Sequence, residues 1–121
     1  MSQVKLVRDK IPQIIRSTGS EPLFRVAEAD EYRDLLQEKL VEEVGEFLTS
    51  GDPTELADVL EVLLSLAADL GIDRDQLEQL RTAKFSARGG FADRIVWWGN
   101  APKSTPANEP QGLDQYRLLC G

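Results

Sequence analysis

Histidine is absent from the 121-residue chain, and cysteine occurs once, at Cys120. Without histidine, no Ser–His or Cys–His nucleophile pair can be assembled within the chain. A zinc site of the usual Cys/His type is excluded as well, and a single thiol forms no internal disulfide. Any bound metal must therefore be a hard cation on oxygen ligands, and any general base must be Asp, Glu, Lys or Tyr. Long hydrophobic runs are also missing: none approaches the ~20 residues that span a bilayer. The opening MSQVKLVRDK turns charged too early for a signal peptide. These absences lead us to expect a cytoplasmic protein with no membrane partner.

What is present suits one folded domain, since 41% of the residues are hydrophobic and 29% charged, enough apolar surface for a core. The net charge of −7 is unevenly spread. Between Glu28 and Glu78 stand 16 acidic and 3 basic side chains, a net of −13, while the remainder carries +6. An acidic middle of this kind argues against duplex nucleic acid as a ligand, because phosphate contacts need a continuous basic face.

The pattern predicts an all-α helical bundle of about four helices, with short strands near its ends. Asp9 is expected to cap a first helix carrying Ile11, Ile14 and Ile15, with Pro12 in its first turn. Asp30 is the expected cap of a long helix running to Thr49, broken by Ser50-Gly51-Asp52-Pro53. A third helix is predicted over Thr54–Leu70, ending at Gly71, and a fourth capped by Asp73 that runs to Arg88 before Gly89-Gly90. Leu23–Val26 and Arg94–Trp98 read as short extended segments able to pair. We assign residues 1–98 to the domain and 99–121, with Pro102, Pro106 and Pro110, to a flexible extension in which Leu118 and Leu119 can dock.

The chemistry lies in the carboxylates. At about 100° per residue, Leu36, Leu40, Val41, Val44, Phe47 and Leu48 form one apolar stripe on the second helix. Glu43 falls at the edge of that stripe, and Glu46, its i, i+3 neighbour, about 60° further out beside the core. The third helix is apolar over about two thirds of its circumference, which predicts a mostly buried helix. Its remaining strip is Glu55, Asp58, Glu61, Ser65 and Asp69. If the two strips face each other, up to four carboxylates converge, and their repulsion calls for a divalent cation. Mg²⁺ suits such a site, because it takes oxygen ligands and leaves positions for water and substrate phosphate. The alternative is that both strips face water, with Arg33 and Lys39 as surface partners.

Glu42-Glu43-x-x-Glu46 followed by Glu55-x-x-Asp58 resembles the signature of the all-α nucleotide pyrophosphohydrolases, the MazG-like and phosphoribosyl-ATP pyrophosphohydrolase group. Val4-Lys5-Leu6-Val7-Arg8-Asp9-Lys10-Ile11-Pro12 and Arg88-Gly89-Gly90-Phe91 resemble the two ends of a small MazG-like subgroup, so the resemblance covers roughly residues 4–98. It implies a Mg²⁺-dependent nucleoside triphosphate pyrophosphohydrolase, with Mn²⁺ able to substitute, that releases a nucleoside monophosphate and pyrophosphate. It also implies Glu43, Glu46, Glu55 and Asp58 as metal ligands, Glu42 as the group that orients or deprotonates water, and a homodimer or homotetramer built on a four-helix core. Phosphoribosyl-ATP hydrolysis is the alternative on the same fold, although the Ser-Gly and Glu-Lys-Ala signature of those enzymes is missing. A non-catalytic helical module that presents its acidic face to a partner protein is the alternative of a different class.

A polyphosphate needs cations. Arg81, Lys84 and Arg88 fall within about 60° of one another on the fourth helix, and we expect Lys84 and Arg88 to contact substrate. Arg8 and Lys10, at a helix start where backbone N–H groups attract anions, are the other substrate-binding candidates. Cations also belong near a helix C-terminus on dipole grounds alone.

Overall fold

The computed structural model describes residues 4–102, which form four α-helices and, among the described residues, no β-strand. The helices are α1 (Ile11–Ser17), α2 (Ala29–Ser50), α3 (Pro53–Asp69) and α4 (Arg74–Arg88). The all-α expectation holds. No helix among the described residues is long and apolar enough to cross a membrane. The chain divides into two compact units, Met1–Leu77 and Glu78–Gly121. Most of the proline-rich extension, from residue 103 onward, lies outside the described residues, Leu118 and Leu119 included.

Two of the expected helix starts move. The residue before α1 is Lys10 rather than Asp9, in a helical conformation and with no side-chain cap. Pro12 falls within the first turn, where a missing N–H costs no hydrogen bond. The cap of α2 is Glu28, two residues before Asp30. Glu28 is extended, its N–H donates to the Glu31 carboxylate at 3.4 Å, and Arg25 grips the same carboxylate with two bonds of 2.7 and 2.6 Å. That upstream clamp starts the helix early and leaves Asp30 inside the first turn, where it accepts the Glu31 N–H at 2.9 Å.

The turn between α2 and α3 is only Gly51-Asp52. Gly51 takes φ 68°, a left-handed conformation that favours glycine, and returns its N–H to the Phe47 carbonyl at 2.8 Å. Asp52 then caps α3 through the Thr54 N–H and hydroxyl, both at 2.9 Å, with Pro53 opening the helix. At the far end, Ile72 N–H bonds the Ala67 carbonyl and Gly71 N–H the Ala68 carbonyl, a Schellman closure around Gly71 at φ 81°. As expected, Asp73 caps α4: it accepts the Gln76 N–H at 2.8 Å while the Gln76 side chain accepts the Asp73 N–H at 2.8 Å.

So short a turn makes α2 and α3 an antiparallel hairpin. Arg33 near the start of α2 bonds Asp69 at the end of α3 at 2.6 Å, which fixes the register. The core of this hairpin is Leu36, Val62 and Ala67. The prediction of a mostly buried α3 fails: Leu56, Leu60 and Leu63 are exposed, as are Val41 and Leu48 on α2. A helix apolar over two thirds of its girth cannot be covered by a single neighbouring helix, so its outer rows face solvent in the single chain.

The two expected strands are absent. Leu23–Val26 is irregular, with Leu23 98% and Val26 87% exposed. The Arg94–Trp98 segment begins with Arg94 at φ 58° and leaves Ile95, Val96 and Trp98 largely exposed. A strand needs a hydrogen-bonded neighbour and a face to bury, and a left-handed residue at its start breaks the extended run.

Candidate functional site

The hairpin register brings the two acidic strips together on one side of α2 and α3. Glu43, Glu55 and Asp58 each place a carboxylate oxygen within 4.8 Å of the others. Glu43 is the buried member, 7% exposed, because its position at the edge of the apolar stripe turns it inward beside Leu36. One of its oxygens, Oε1, lies 3.2 Å from Lys39 Nζ. The other, Oε2, is buried without a hydrogen-bond partner. An unpaired acceptor on a buried carboxylate carries a desolvation cost that a cation would remove.

The electrostatics agree. The Glu55 carboxyl is held above its ordinary value, first by partial loss of water, then by its hydrogen bond to Asp58 and by repulsion from Glu46, Asp58 and Glu43. Glu46 is also raised, chiefly by the charge of Glu43 and then by desolvation. Glu46 is exposed and stands beside the three clustered carboxylates rather than among them. The four predicted ligands thus share one patch of negative potential, with three in direct convergence.

Two cations border the cluster. Arg8 donates from Nη2 to Asp58 Oδ1 at 2.7 Å, bringing the N-terminal segment onto α3 across fifty positions of sequence. Lys39 spans Glu43 and Glu42, 3.2 and 3.3 Å away. Burial works to lower the Lys39 pKa, but its contacts with Glu43 and Glu42 outweigh this and raise it, so the ammonium stays charged. Lys39 is therefore no surface partner, and its half-buried place beside Glu43 is the feature that helix-by-helix reading missed. Its signal was present: Tyr32, Leu36, Lys39 and Glu43 recur at i, i+4, i+7 and i+11, one face of α2.

Glu42 is turned toward Lys39 and Lys5, with Lys5 Nζ at 3.6 Å, and is not part of the cluster. Lys10 is exposed at the start of α1. Lys84 and Arg88 are exposed on the part of α4 that falls in the second unit. Arg81, on the same stripe, is engaged with Glu78 one turn away, at 2.6–3.0 Å. Trp97 donates its indole N–H to Asn100 at 3.0 Å, while Trp98 is exposed.

No family model matches the chain, and no solved structure matches it. It is 45% identical over 53 residues to a protein of Mycolicibacterium smegmatis described only as an uncharacterized protein. The matched segment is 44% of this chain, and it spans about half the length of that relative (53%).

Proposed function

We propose that the protein is a Mg²⁺-dependent nucleoside triphosphate pyrophosphohydrolase of the MazG-like kind. The observation that carries this reading is the unpartnered, buried Glu43 Oε2 within a convergence of three carboxylates. An all-oxygen, multiply anionic donor set of this type fits a hard divalent cation, with Mn²⁺ as a substitute for Mg²⁺. Glu43, Glu55 and Asp58 would hold it, and Glu46 adjoins them. When bound, the cation supplies neutralisation of phosphate charge and a lowered pKa for water.

The remaining chemistry belongs to the chain. Water adds at the α-phosphorus and the α–β phosphoanhydride bond breaks, so pyrophosphate departs and a nucleoside monophosphate remains. Arg8, poised on Asp58, is the cation best placed to meet a phosphate at the cluster, and Lys10 follows two residues later on the same segment. Lys84 and Arg88 are assigned to the polyphosphate by resemblance, and Glu42 to the orientation or deprotonation of the attacking water. Lys39, 3.2 Å from Glu43 Oε1, orients that carboxylate. The exposed leucines of α3 and the exposed valine and leucine of α2 support a homodimer or homotetramer, in which a second hairpin would cover them. The reading places the enzyme in the cytoplasm.

The test is incubation with Mg²⁺ and a panel of ribo- and deoxynucleoside triphosphates, with product identification. Pyrophosphate and monophosphate are expected, and excess chelator should abolish both. Release of orthophosphate alone, or turnover that survives the chelator, would overturn the assignment.

A further inference from the structure

A cleft of about 240 Å³ takes in Glu43 and Asp58 of the cluster and continues along the hairpin, bordered on one side by residues 6–9. Its lining changes character with distance from the cluster. At one end stand Glu43, Asp58 and Arg8; Leu36 and Val62 supply an apolar floor; Tyr32, Glu61 and Ser65 line it further on, with Lys39 and Asp9 at its sides. Asp58, Glu61, Val62 and Ser65 are spaced i, i+3, i+4 and i+7, so they lie in a row on one face of α3. At 1.5 Å per residue, Glu61 stands about 4.5 Å along the axis from Asp58, and Ser65 about 10.5 Å.

Three properties of this cleft select its occupant. Its volume lies below the roughly 300 Å³ at which pockets for drug-sized ligands begin, so it admits one small ring-bearing group rather than an extended chain. Of the charged groups that line it beyond Asp58, Lys39 is engaged by Glu43 and Glu42, while Asp9 and Glu61 are carboxylates, which repel phosphate and turn a polyphosphate away from this direction. The apolar floor and the Tyr32 ring suit a flat, uncharged heterocycle, and a hydroxyl such as that of Ser65 both donates and accepts.

We infer that this cleft takes the nucleoside end of the substrate, with Glu61 accepting a hydrogen bond from a sugar hydroxyl, the base over Leu36 and Val62 beside Tyr32, and Ser65 reading the base edge. The inference rests on the pyrophosphohydrolase reading and gives the substrate a direction: phosphates at Glu43 and Asp58, base toward Tyr32. Glu61, one turn beyond Asp58, is at the level of the sugar, and Ser65, two turns beyond, at the level of the base. Glu61 and Ser65 are thus specificity-determining residues, separate from the groups that hold the cation.

The experiment uses two probes on the full chain: phosphate-free nucleosides (adenosine, guanosine, cytidine, uridine and their deoxy forms), and inorganic pyrophosphate with Mg²⁺. Nucleosides should shift the NMR signals of Tyr32 and Ser65, with base preference visible among them. Ser65→Leu, which fills the far end, should abolish these shifts and raise KM at least ten-fold, leaving pyrophosphate binding within two-fold. Glu61→Gln, of nearly the same shape, should lower nucleoside affinity several-fold and narrow the difference between ribo and deoxy forms, which covers the case in which Ser65→Leu fails to fold. Nucleosides that leave the cleft signals unmoved, or a Glu61→Gln enzyme with unchanged KM and sugar preference, would overturn the inference. Nucleoside binding without any triphosphate hydrolysis would instead overturn the proposed activity and leave the cleft assignment standing. Hydrolysis with a silent cleft would do the reverse.

Discussion

Replacing Glu43 by glutamine separates a metal site from an acidic surface more sharply than loss of activity does. Oε2 of Glu43 is buried with no hydrogen-bond partner among the protein groups, while Oε1 is engaged by Lys39. Glutamine keeps a carbonyl oxygen for Lys39 and puts an NH₂ donor where the orphaned acceptor stood, beside the oxygens of Glu55 and Asp58. Lys39 retains its second carboxylate, Glu42, at 3.3 Å. Curing an unsatisfied buried polar atom is worth about 1–3 kcal/mol. For a domain of this size each kcal/mol moves Tm by roughly 4–8 °C. Glu43→Gln should therefore melt higher than the parent in chelator. The order should reverse in metal. At a divalent-ion concentration of about 100 times Kd the parent gains ~2.7 kcal/mol, whereas the variant, short of its central ligand, should gain little. The assay is a pair of melting curves for each protein, in EDTA and in a Mg²⁺ or Mn²⁺ series. A variant less stable than the parent in EDTA, or one that keeps the full metal-induced rise, would refute the reasoning.

Metal-free stability should pass through a maximum on the acid side of neutral pH. The folded-state values of Glu46 and Glu55 are raised above the ordinary 4.5, so the folded protein binds more protons than the unfolded one, and stability grows as pH falls from neutral through those raised values. Glu31 and Asp52 are lowered, by the Arg25 and Thr54 contacts respectively; their contribution is lost as pH falls below the unfolded values of 4.5 and 3.8 toward the folded ones. Denaturant titrations in EDTA across this range would show the maximum, and a steady decline from neutral pH downward would contradict it. Lys84→Ala and Arg88→Ala should each raise KM about ten-fold while leaving Mg²⁺ affinity alone, since charge-assisted contacts are worth ~1.5–3 kcal/mol; unchanged KM would assign both residues to helix stability. Sedimentation at micromolar concentration should show at least a dimer, and a monomer would mean that the exposed rows of α3 have another occupant.

The parts of this protein that sequence reading recovered are those governed by one helix at a time. The i, i+3 spacings put Glu43, Glu55 and Asp58 on the strips that the hairpin brings together, with Glu46 exposed beside them, because the period of a helix is the same in every context. The cap of α4 was equally readable, since Asp73 and Gln76 satisfy one another with no outside help. Failures came where a distant group decides. Asp30 is the better N-cap than Glu28 by local preference, but Arg25 anchors Glu31 from upstream and moves the start. The apolar alternation of Arg94–Trp98 suits a strand, yet a strand is a relation between two segments, and an isolated extended run gains nothing from its pattern.

Lys39 and Arg33 show the same division within a single helix. Six residues apart on α2, both look like surface counter-charges for an acidic face. The two-residue turn at Gly51-Asp52 sets Arg33 against Asp69 at the open end of the hairpin and Lys39 against Glu43 beside the cluster. Their opposite roles follow from turn length, which fixes what each position on α2 meets on α3. Arg8 lies further still from what local pattern can reveal, fifty positions from Asp58. Its contact brings a cation to the edge of the cluster, so the acidic strips and the basic N-terminal segment meet at Asp58.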